Sequence, residues 1–257
     1  MKVEIDPSIF LTYRARDIQT SFSDQPTCVE VTDSAISAIE NLDRRAYDQA
    51  PVTENGNVIG WVMRENIKST RTIAESYNLL NQNDLISAEA PLNDLLKRLL
   101  NQKLVFLVGA TGIEGFAVRS DLERHVSRAH LYLLISGLEI SMTRILSSYL
   151  NDISCVLPLM SPPSKRAFEF ALAKREDANP VEYLDLRGLG DALILEKGAL
   201  IHLGISADAW KIYTGMLVNI RNWVAHSNTQ AMREQPFHVV VDHMQRTESY
   251  IRKLISY

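Results

Sequence analysis

The sequence has little of what marks secreted, metal-binding or membrane-spanning proteins. Its 257 residues include only two cysteines, Cys28 and Cys155, which are too few and too far apart for a metal knuckle or a disulfide framework. The amino terminus lacks the apolar core and small-residue cleavage site of a signal peptide. The most apolar window, residues 129–146, is interrupted by Glu139 and Arg144, so it falls short of a membrane span. These absences predict a cytoplasmic protein without a membrane segment.

The sequence also lacks a basic excess. Residues 127–257 carry 14 basic and 13 acidic side chains, and the first 126 residues carry 13 and 18, so the first half is acidic at −5. Neither half has the clustered positive charge of a protein that binds duplex nucleic acid tightly through phosphates. Any contact with nucleic acid must therefore be local, transient or assembled between subunits.

Phosphate-cradling glycine loops and the GxSxG nucleophile motif are absent as well. His238, Asp242 and His243 are close in sequence, but no further carboxylate or cysteine follows at a spacing typical of metal ligands. We therefore predict no metal site.

What the first half does contain is a duplication. Each copy has a short apolar strand, an amphipathic helix, a β-hairpin with a glycine-containing turn, and the start of a second helix. Three positions recur at a spacing of 55 residues. They are Gly60, Arg64 and Asn66 in the first copy, and Gly115, Arg119 and Asp121 in the second. Residues 73–80 are predicted to form a helical connector between the copies.

This order of elements resembles the tandem pair of cystathionine-β-synthase-type (CBS) domains, over about residues 15–126. In that family each repeat ends in glycine, two apolar residues, serine or threonine, two variable residues and aspartate. The hydroxyl faces a phosphate, and the aspartate accepts hydrogen bonds from the ribose of an adenine nucleotide. The second copy keeps Asp121 but has Val118 at the hydroxyl position, whereas the first has Met63 and Asn66.

The resemblance implies an adenine-nucleotide effector, with Asp121, Asn66 and Arg119 as the candidate binding residues. Asp121 is expected to dominate, because its carboxylate is a stronger acceptor than the amide of Asn66. The alternative is a dimerisation scaffold whose clefts have degenerated, since a fold does not imply a function.

From about residue 127 the pattern is exclusively helical. Long amphipathic segments cover residues 130–150, 165–177 and 207–227, a glycine-punctuated segment covers residues 186–204, and a last helix begins near Pro236. Such short connections predict an antiparallel bundle. The predicted fold is thus an α+β CBS-type pair over residues 1–126, followed by an all-α helical bundle over residues 127–257. Trp210, Tyr213 and Trp223 are expected to pack in the core or at an interface.

A short polar motif lies at the end of the penultimate helix, Arg221-Asn222-Trp-Val-Ala-His226. Arginine, a polar residue, three residues of any kind and histidine resembles the signature of the HEPN superfamily, helical bundles that include metal-independent ribonucleases. Glu139, in the first long helix, resembles the glutamate of the early helix in that superfamily. The resemblance implies a catalytic site formed by Arg221, Asn222, His226 and Glu139.

Spacing alone is weak support, because Arg233 and His238 have the same separation. There, however, the second residue is acidic and Pro236 interrupts the helix. In the first motif the residue types fit RNA cleavage. Histidine can accept or donate a proton near neutral pH, and arginine can bind the phosphoryl oxygens.

The helical geometry predicts a dimer. Residues five apart on a helix point about 140° away from each other, so Arg221 and His226 do not share a face. A symmetric homodimer, with two motifs facing across the interface, brings one subunit's histidine to the other's arginine. This arrangement resembles that of the HEPN ribonucleases as a family, so we expect a homodimer.

The leading hypothesis is a ligand-regulated, metal-independent endoribonuclease that acts transiently on RNA, a design suited to stress response, a toxin or phage defence. The alternative is a non-catalytic, nucleotide-sensing regulatory dimer with a vestigial motif. In that case His226 and Arg221 only stabilise the carboxyl end of a helix. A purely structural scaffold is the third possibility.

Overall fold

The computed structural model describes residues 13–24, 28–67, 71–174, 178–225 and 236–257. Contacts divide the chain into two compact units, residues 13–126 and residues 127–257. Each unit has its own secondary structure and its own core.

The first unit is an α+β domain with two four-stranded sheets. The strands are β1 (Thr20–Ser21), β2 (Val29–Glu30), β3 (Gln49–Glu54), β4 (Asn57–Met63), β5 (Asn78–Leu79), β6 (Leu85–Ser87), β7 (Leu104–Gly109) and β8 (Gly112–Val118). The helices are α1 (Ala35–Arg44), α2 (Arg64–Ile67) and α3 (Leu92–Asn101). One sheet has the strand order β2-β3-β4-β5 and the other β1-β8-β7-β6.

The two hairpins show the duplication in three dimensions. Val52 pairs with Gly60 in the first hairpin, and Leu107 pairs with Gly115 in the second, so both members of the pair are displaced by the same 55 residues. The turn of the first hairpin contains Asn55 and Gly56 with φ of 50° and 78°, values that suit this residue pair in a two-residue hairpin turn.

Short strands are exchanged between the copies. β5 leads into the second copy but pairs with β4 of the first, and β1 precedes the first copy but pairs with β8 of the second. A Cβ atom at Gly60 would collide with the carbonyl oxygen of Asn78, and one at Gly115 with that of Thr20. The recurring glycines thus allow the exchanged strands to approach.

The helical connector predicted over residues 73–80 is wrong. A 3₁₀ turn, Ile73–Glu75, is followed by strand β5. Pairing with β4 provides hydrogen bonds for this segment that a short isolated helix would lack.

The second unit is helical. Its helices are α4 (His125–Tyr149, which begins two residues before the unit boundary), α5 (Pro162–Leu172), α6 (Leu186–Leu193), α7 (Lys197–Leu203), α8 (Ala207–Ala225) and α9 (Phe237–Ile255). Two 3₁₀ segments, Ile153–Leu159 and Pro180–Tyr183, connect them. Within the described ranges, no helix is both long enough and apolar enough to cross a membrane.

Helix α8 is fixed in the core of this unit. The indole of Trp210 is fully buried and donates to the carbonyl of Gly190 in α6 at 2.9 Å. The hydroxyl of Tyr213 lies 2.6 Å from that of Thr247 in α9. Trp223 is also buried, at 7% exposure, so all three aromatic residues pack inside as predicted. These contacts hold the helix that carries Arg221.

Candidate functional site

The candidate site of the helical unit begins with Glu139 in α4 and Arg221 in α8. Burial raises the pKa of Glu139, and the positive charge of Arg221 counteracts that rise. The glutamate is half-buried and the arginine is exposed. Two residues separated by 82 positions in sequence are thus brought into one electrostatic environment.

Asp185 joins this environment, and sequence reasoning missed it. It lies at the N-cap of α6, where its Oδ1 accepts a hydrogen bond from the Gly188 amide at 2.9 Å. Its negative charge adds to the rise in the pKa of Glu139. The only sequence signal would have been its N-cap character.

The rest of the motif lies at the end of α8. Asn222 is exposed beside Arg221, while Ile220 and Trp223 on the other face are buried. The predicted catalytic His226 lies outside the described residues. The structure therefore brings Arg221, Asn222 and Glu139 to one region, and the position of His226 stays a prediction.

Arg128 contacts the end of the same helix. Its guanidinium carbon lies 5.6 Å from the ring centroid of Trp223. Its Nη2 donates to the carbonyls of Val224 at 3.1 Å and Trp223 at 3.4 Å. These carbonyls belong to the last described turn of α8, so Arg128 binds this helix near its end.

Arg144, which follows Glu139 by five residues, has a structural role. Its Nη2 donates to the carbonyls of Leu254 and Ile255 at the carboxyl end of α9. The guanidinium of Arg144 therefore binds the carboxyl end of α9.

In the CBS-type unit, Asp121 is held by its own chain. Its Oδ2 accepts from the Val118 amide and its Oδ1 from Nε of Arg124, both at 2.7 Å. The residue is 5% exposed. Burial raises the pKa of Asp121, and the bonds from Val118 and Arg124 oppose that rise.

The other two candidate ligand residues differ from Asp121 in their surroundings. Asn66 is exposed at the end of α2. Arg119 donates to the carbonyls of Leu99 and Leu100, both at 2.7 Å, and so caps α3. Because these bonds already use part of its guanidinium, Arg119 can offer a ligand only its remaining donors.

Two cavities adjoin these residues. One of about 300 Å³ is lined by Tyr47, Gln49, Asp121 and Arg124, among others. A second of about 540 Å³ is lined by the corresponding residues of both copies, Met63 and Arg64 of the first and Val118 and Arg119 of the second. The smaller cavity is the one that reaches the Asp121 carboxylate.

Metal ligands do not cluster in the described ranges, where no group of three or more histidine, cysteine, aspartate or glutamate side chains could hold an ion. Of the three residues considered in the sequence, Asp242 pairs with Arg246 at 2.8 Å, and Nδ1 of His243 lies 2.8 Å from the Val239 carbonyl.

Comparison with known proteins identifies part of the chain. Residues 15–71 match the family model of the CBS domain. A zinc metalloprotease from Methanocaldococcus jannaschii is 28% identical over 128 residues, which cover 49% of this chain and 35% of the relative. The chain thus spans about a third of the length of that relative.

Several solved structures are also similar to part of this chain. A CBS-pair protein from Arabidopsis thaliana, CBSX2, is 16% identical with a TM-score of 0.41, covering 46% of this chain and 96% of that protein. The CBS domain of a bacterial CNNM/CorC family Mg²⁺ transporter in complex with ATP is 15% identical with a TM-score of 0.39, covering 45% and 87%.

The family match confirms a CBS domain in the first half of the chain, with the predicted α+β character. The carboxyl-terminal half is helical, as predicted. Its assignment to a HEPN-type bundle is taken up below as a proposal.

Proposed function

We propose that this protein is a ligand-regulated, metal-independent endoribonuclease, in which a CBS-type pair senses an adenine nucleotide and a HEPN-like helical bundle cleaves RNA. The observation that carries the proposal is that the charges of Glu139 in α4 and Arg221 in α8 act on each other, although the residues lie on different helices of the same unit. Both residues belong to the site that the HEPN resemblance implies.

The chemistry follows from the residue types. Attack of a ribose 2′-hydroxyl on the adjacent phosphate needs a proton acceptor, a proton donor for the departing 5′-oxygen, and positive charge at the phosphoryl oxygens. His226 is suited to the proton transfers, because imidazole changes charge near neutral pH. Arg221 is suited to the phosphoryl oxygens, and Asn222 can donate a hydrogen bond beside it.

Glu139 has a separate role in this scheme. In this scheme its negative charge attracts the guanidinium of Arg221 in the absence of substrate. A phosphate that arrives competes for the same guanidinium. Glu139 is therefore expected to affect both the binding of RNA and the rate of cleavage.

The complete site is proposed to form in a homodimer. Arg221 is exposed on α8, and His226 is five residues further along the chain, on a different face of any continued helix. A two-fold axis beside the motif would bring together residues that one subunit holds apart.

The effector is proposed to bind at the smaller cavity of the CBS-type unit, where Asp121 can accept ribose hydroxyl groups. Val118 cannot donate to a phosphate, so a nucleoside or monophosphate fits this cavity better than a polyphosphate. A cytoplasmic role in stress response, as a toxin or in phage defence would suit an RNA-cleaving enzyme under such control.

A second candidate function is a nucleotide-sensing regulatory dimer without catalysis. It is favoured by the same pair of charges, because an arginine that compensates a half-buried glutamate also stabilises a purely structural site. Under this alternative, the end of α8 is a contact surface whose only task is packing.

An RNA-cleavage assay on the full chain, with and without EDTA, distinguishes the two candidates. Cleavage that resists EDTA and is lost in His226→Ala and Arg221→Gln supports the ribonuclease. Arg246→Gln is the matched control, because Arg246 forms an exposed ion pair with Asp242 on α9. Absence of cleavage in a folded wild-type protein, across structured and single-stranded RNA, favours the regulatory dimer.

A further inference from the structure

Two arginines flank the junction between the two units. Arg124 is the last residue before α4, and Arg128 lies in the first turn of that helix. Only residues 125–127 separate them, and the unit boundary falls between residues 126 and 127. Each arginine is bound to a candidate site, the first to that of the CBS-type unit and the second to that of the helical unit.

Arg124 anchors the end of the CBS-type unit. Besides its bond to Asp121, it donates to the carbonyl of Gln19 at 2.9 Å and to the hydroxyl of Thr20 at 2.6 Å. These bonds connect the segment after β8 to the segment that forms β1.

The bond between Arg124 and Asp121 is open to competition. Asp121 has a second partner, the Val118 amide, which belongs to the backbone and cannot swing away. Arg124 has a side chain that is 42% exposed, whereas the side chain of Asp121 is 7% exposed. A diol that reaches the carboxylate from the 300 Å³ cavity therefore competes with Arg124, which lines the same cavity.

Arg128 holds the end of the motif helix. It donates to the carbonyls of Trp223 and Val224, two and three residues after Arg221. Its position over the indole of Trp223 adds a cation–π contact. Arg128 therefore joins the first turn of α4 to the last described turn of α8.

Resting on the proposed function, we propose that the Arg124–Arg128 junction is the element by which a ligand controls the motif: a ribose diol displaces Arg124 from Asp121, and Arg128 repositions the end of α8. Arg128 is thus a positioning residue, which acts on Arg221 through the last described turn of α8. The ligand class is a nucleoside or nucleoside monophosphate with a free vicinal diol.

The test uses the full chain labelled with 5-fluorotryptophan. The sequence has three tryptophans, so fluorine NMR gives three signals, which Trp61→Phe and Trp223→Phe assign. Arg128→Gln should shift the Trp223 signal, because the guanidinium over the ring is lost, and Arg128→Lys should restore part of it. Arg124→Gln should also shift the Trp223 signal, although Arg124 belongs to the other unit.

A second variant tests whether the shift in Arg124→Gln comes from the lost ion pair or from misfolding. Asp121→Asn releases Arg124 from its ion pair, while the amide oxygen can still accept from Val118. It should shift the Trp223 signal in the same direction as Arg124→Gln. The matched control is Lys97→Gln, which removes the exposed ion pair with Asp94 in the same unit and should leave the Trp223 signal unmoved. A Trp223 signal at its wild-type position in both Arg124→Gln and Asp121→Asn overturns the proposal.

The ligand step is tested with AMP and with 2′,3′-dideoxyadenosine monophosphate, which lacks the diol. AMP should move the Trp223 signal in the wild type and move it much less in Arg128→Gln, whereas the dideoxy analogue should not move it. Binding of AMP without movement of Trp223, or no binding of AMP, overturns the ligand step.

Cleavage is measured in parallel on the same proteins. Arg124→Gln should change kcat by about fivefold or more, the lower end of typical couplings between sites. If the Trp223 signal responds as expected but no protein cleaves RNA, the coupling stands and the proposed ribonuclease function fails. If RNA is cleaved but the Trp223 signal does not shift in Arg124→Gln, the proposed ribonuclease function is supported and the proposed coupling is refuted.

Discussion

Arg221 lowers the pKa of Glu139 against the effect of burial, which raises it. The two residues belong to α8 and α4, and Asp185 at the start of α6 adds a negative charge to the same region. Burial thus disfavours the ionised form of the Glu139 carboxyl, and the charge of Arg221 favours it. The pKa of Glu139 can therefore be used to test the candidate site without an assay for activity.

Replacing Arg221 with glutamine should raise the pKa of Glu139 further, because the opposing charge is lost and burial remains. A group with a raised folded-state pKa makes the protein less stable as pH rises through that pKa, so the variant should lose more stability than the wild type between pH 4 and pH 7. Carboxyl-carbon NMR titration of Glu139 and urea unfolding at the two pH values measure this. Arg246→Gln serves as the control, and a pKa for Glu139 equal in Arg221→Gln and wild type contradicts the pairing.

His226→Ala should reduce RNA cleavage by about 10²–10⁴-fold, the contribution expected of a general acid–base group. The products should end in 2′,3′-cyclic phosphates, since the 2′-hydroxyl is the nucleophile. Even a histidine at the end of a helix contributes only about 0.3–1 kcal/mol to stability, so this single replacement should leave the protein folded. Full activity in folded His226→Ala, or a strict requirement for Mg²⁺, refutes the proposed mechanism.

Asp121→Ala should weaken nucleoside binding by about 1.5–3 kcal/mol, the range for hydrogen bonds to a charged group. It should also lower the melting temperature, because the Val118 amide and Arg124 lose their acceptor. Asn66→Ala should have smaller effects on both, since Asn66 is exposed and uncharged. Calorimetric titration with adenosine, AMP and ATP, together with thermal unfolding, separates these outcomes. An equal loss of affinity in the two variants argues against the preference for Asp121.

His130 should make the helical unit sensitive to acid. Burial lowers the pKa of His130 to about 4, against the opposing charge of Glu248. An unfolded histidine titrates near 6.5, so stability is lost as pH falls from that value through about 4, by on the order of 3 kcal/mol. His130→Asn should flatten the pH dependence of urea unfolding in this window, whereas His125→Asn, at an exposed position, should retain the wild-type curve. Identical slopes for His130→Asn and wild type would contradict this assignment.

The sequence predicted the elements whose signals are local. The two hairpins have glycine-containing turns, and α1 and α3 have a regular apolar stripe. The recurrence of Gly60 as Gly115 indicates the duplication. The match of residues 15–71 to the CBS domain agrees with that pattern. Trp210, Tyr213 and Trp223 could be assigned to the core because large aromatic side chains on an apolar helix face are usually buried.

What the sequence could not predict depends on distant partners. Strand β5 forms because β4 offers a free edge, although its residues have a helical pattern. Asp185 acts on Glu139 only through the packing of α6, and Arg128 reaches Trp223 from 95 residues away. The partners of Asp121, Val118 and Arg124, are near it in sequence. Only the structure shows that each of them donates a hydrogen bond to one oxygen of the Asp121 carboxylate.

The exchange of β1 and β5 makes each repeat depend on the other for an edge strand of its sheet. Two separate repeats would have to associate as molecules to complete both sheets in this way, whereas in one chain the pairing is intramolecular and does not depend on concentration. For the same reason, a fragment that begins at residue 81 lacks Thr20–Ser21 and leaves β8 with an open edge, so neither half-repeat is a usable module by itself.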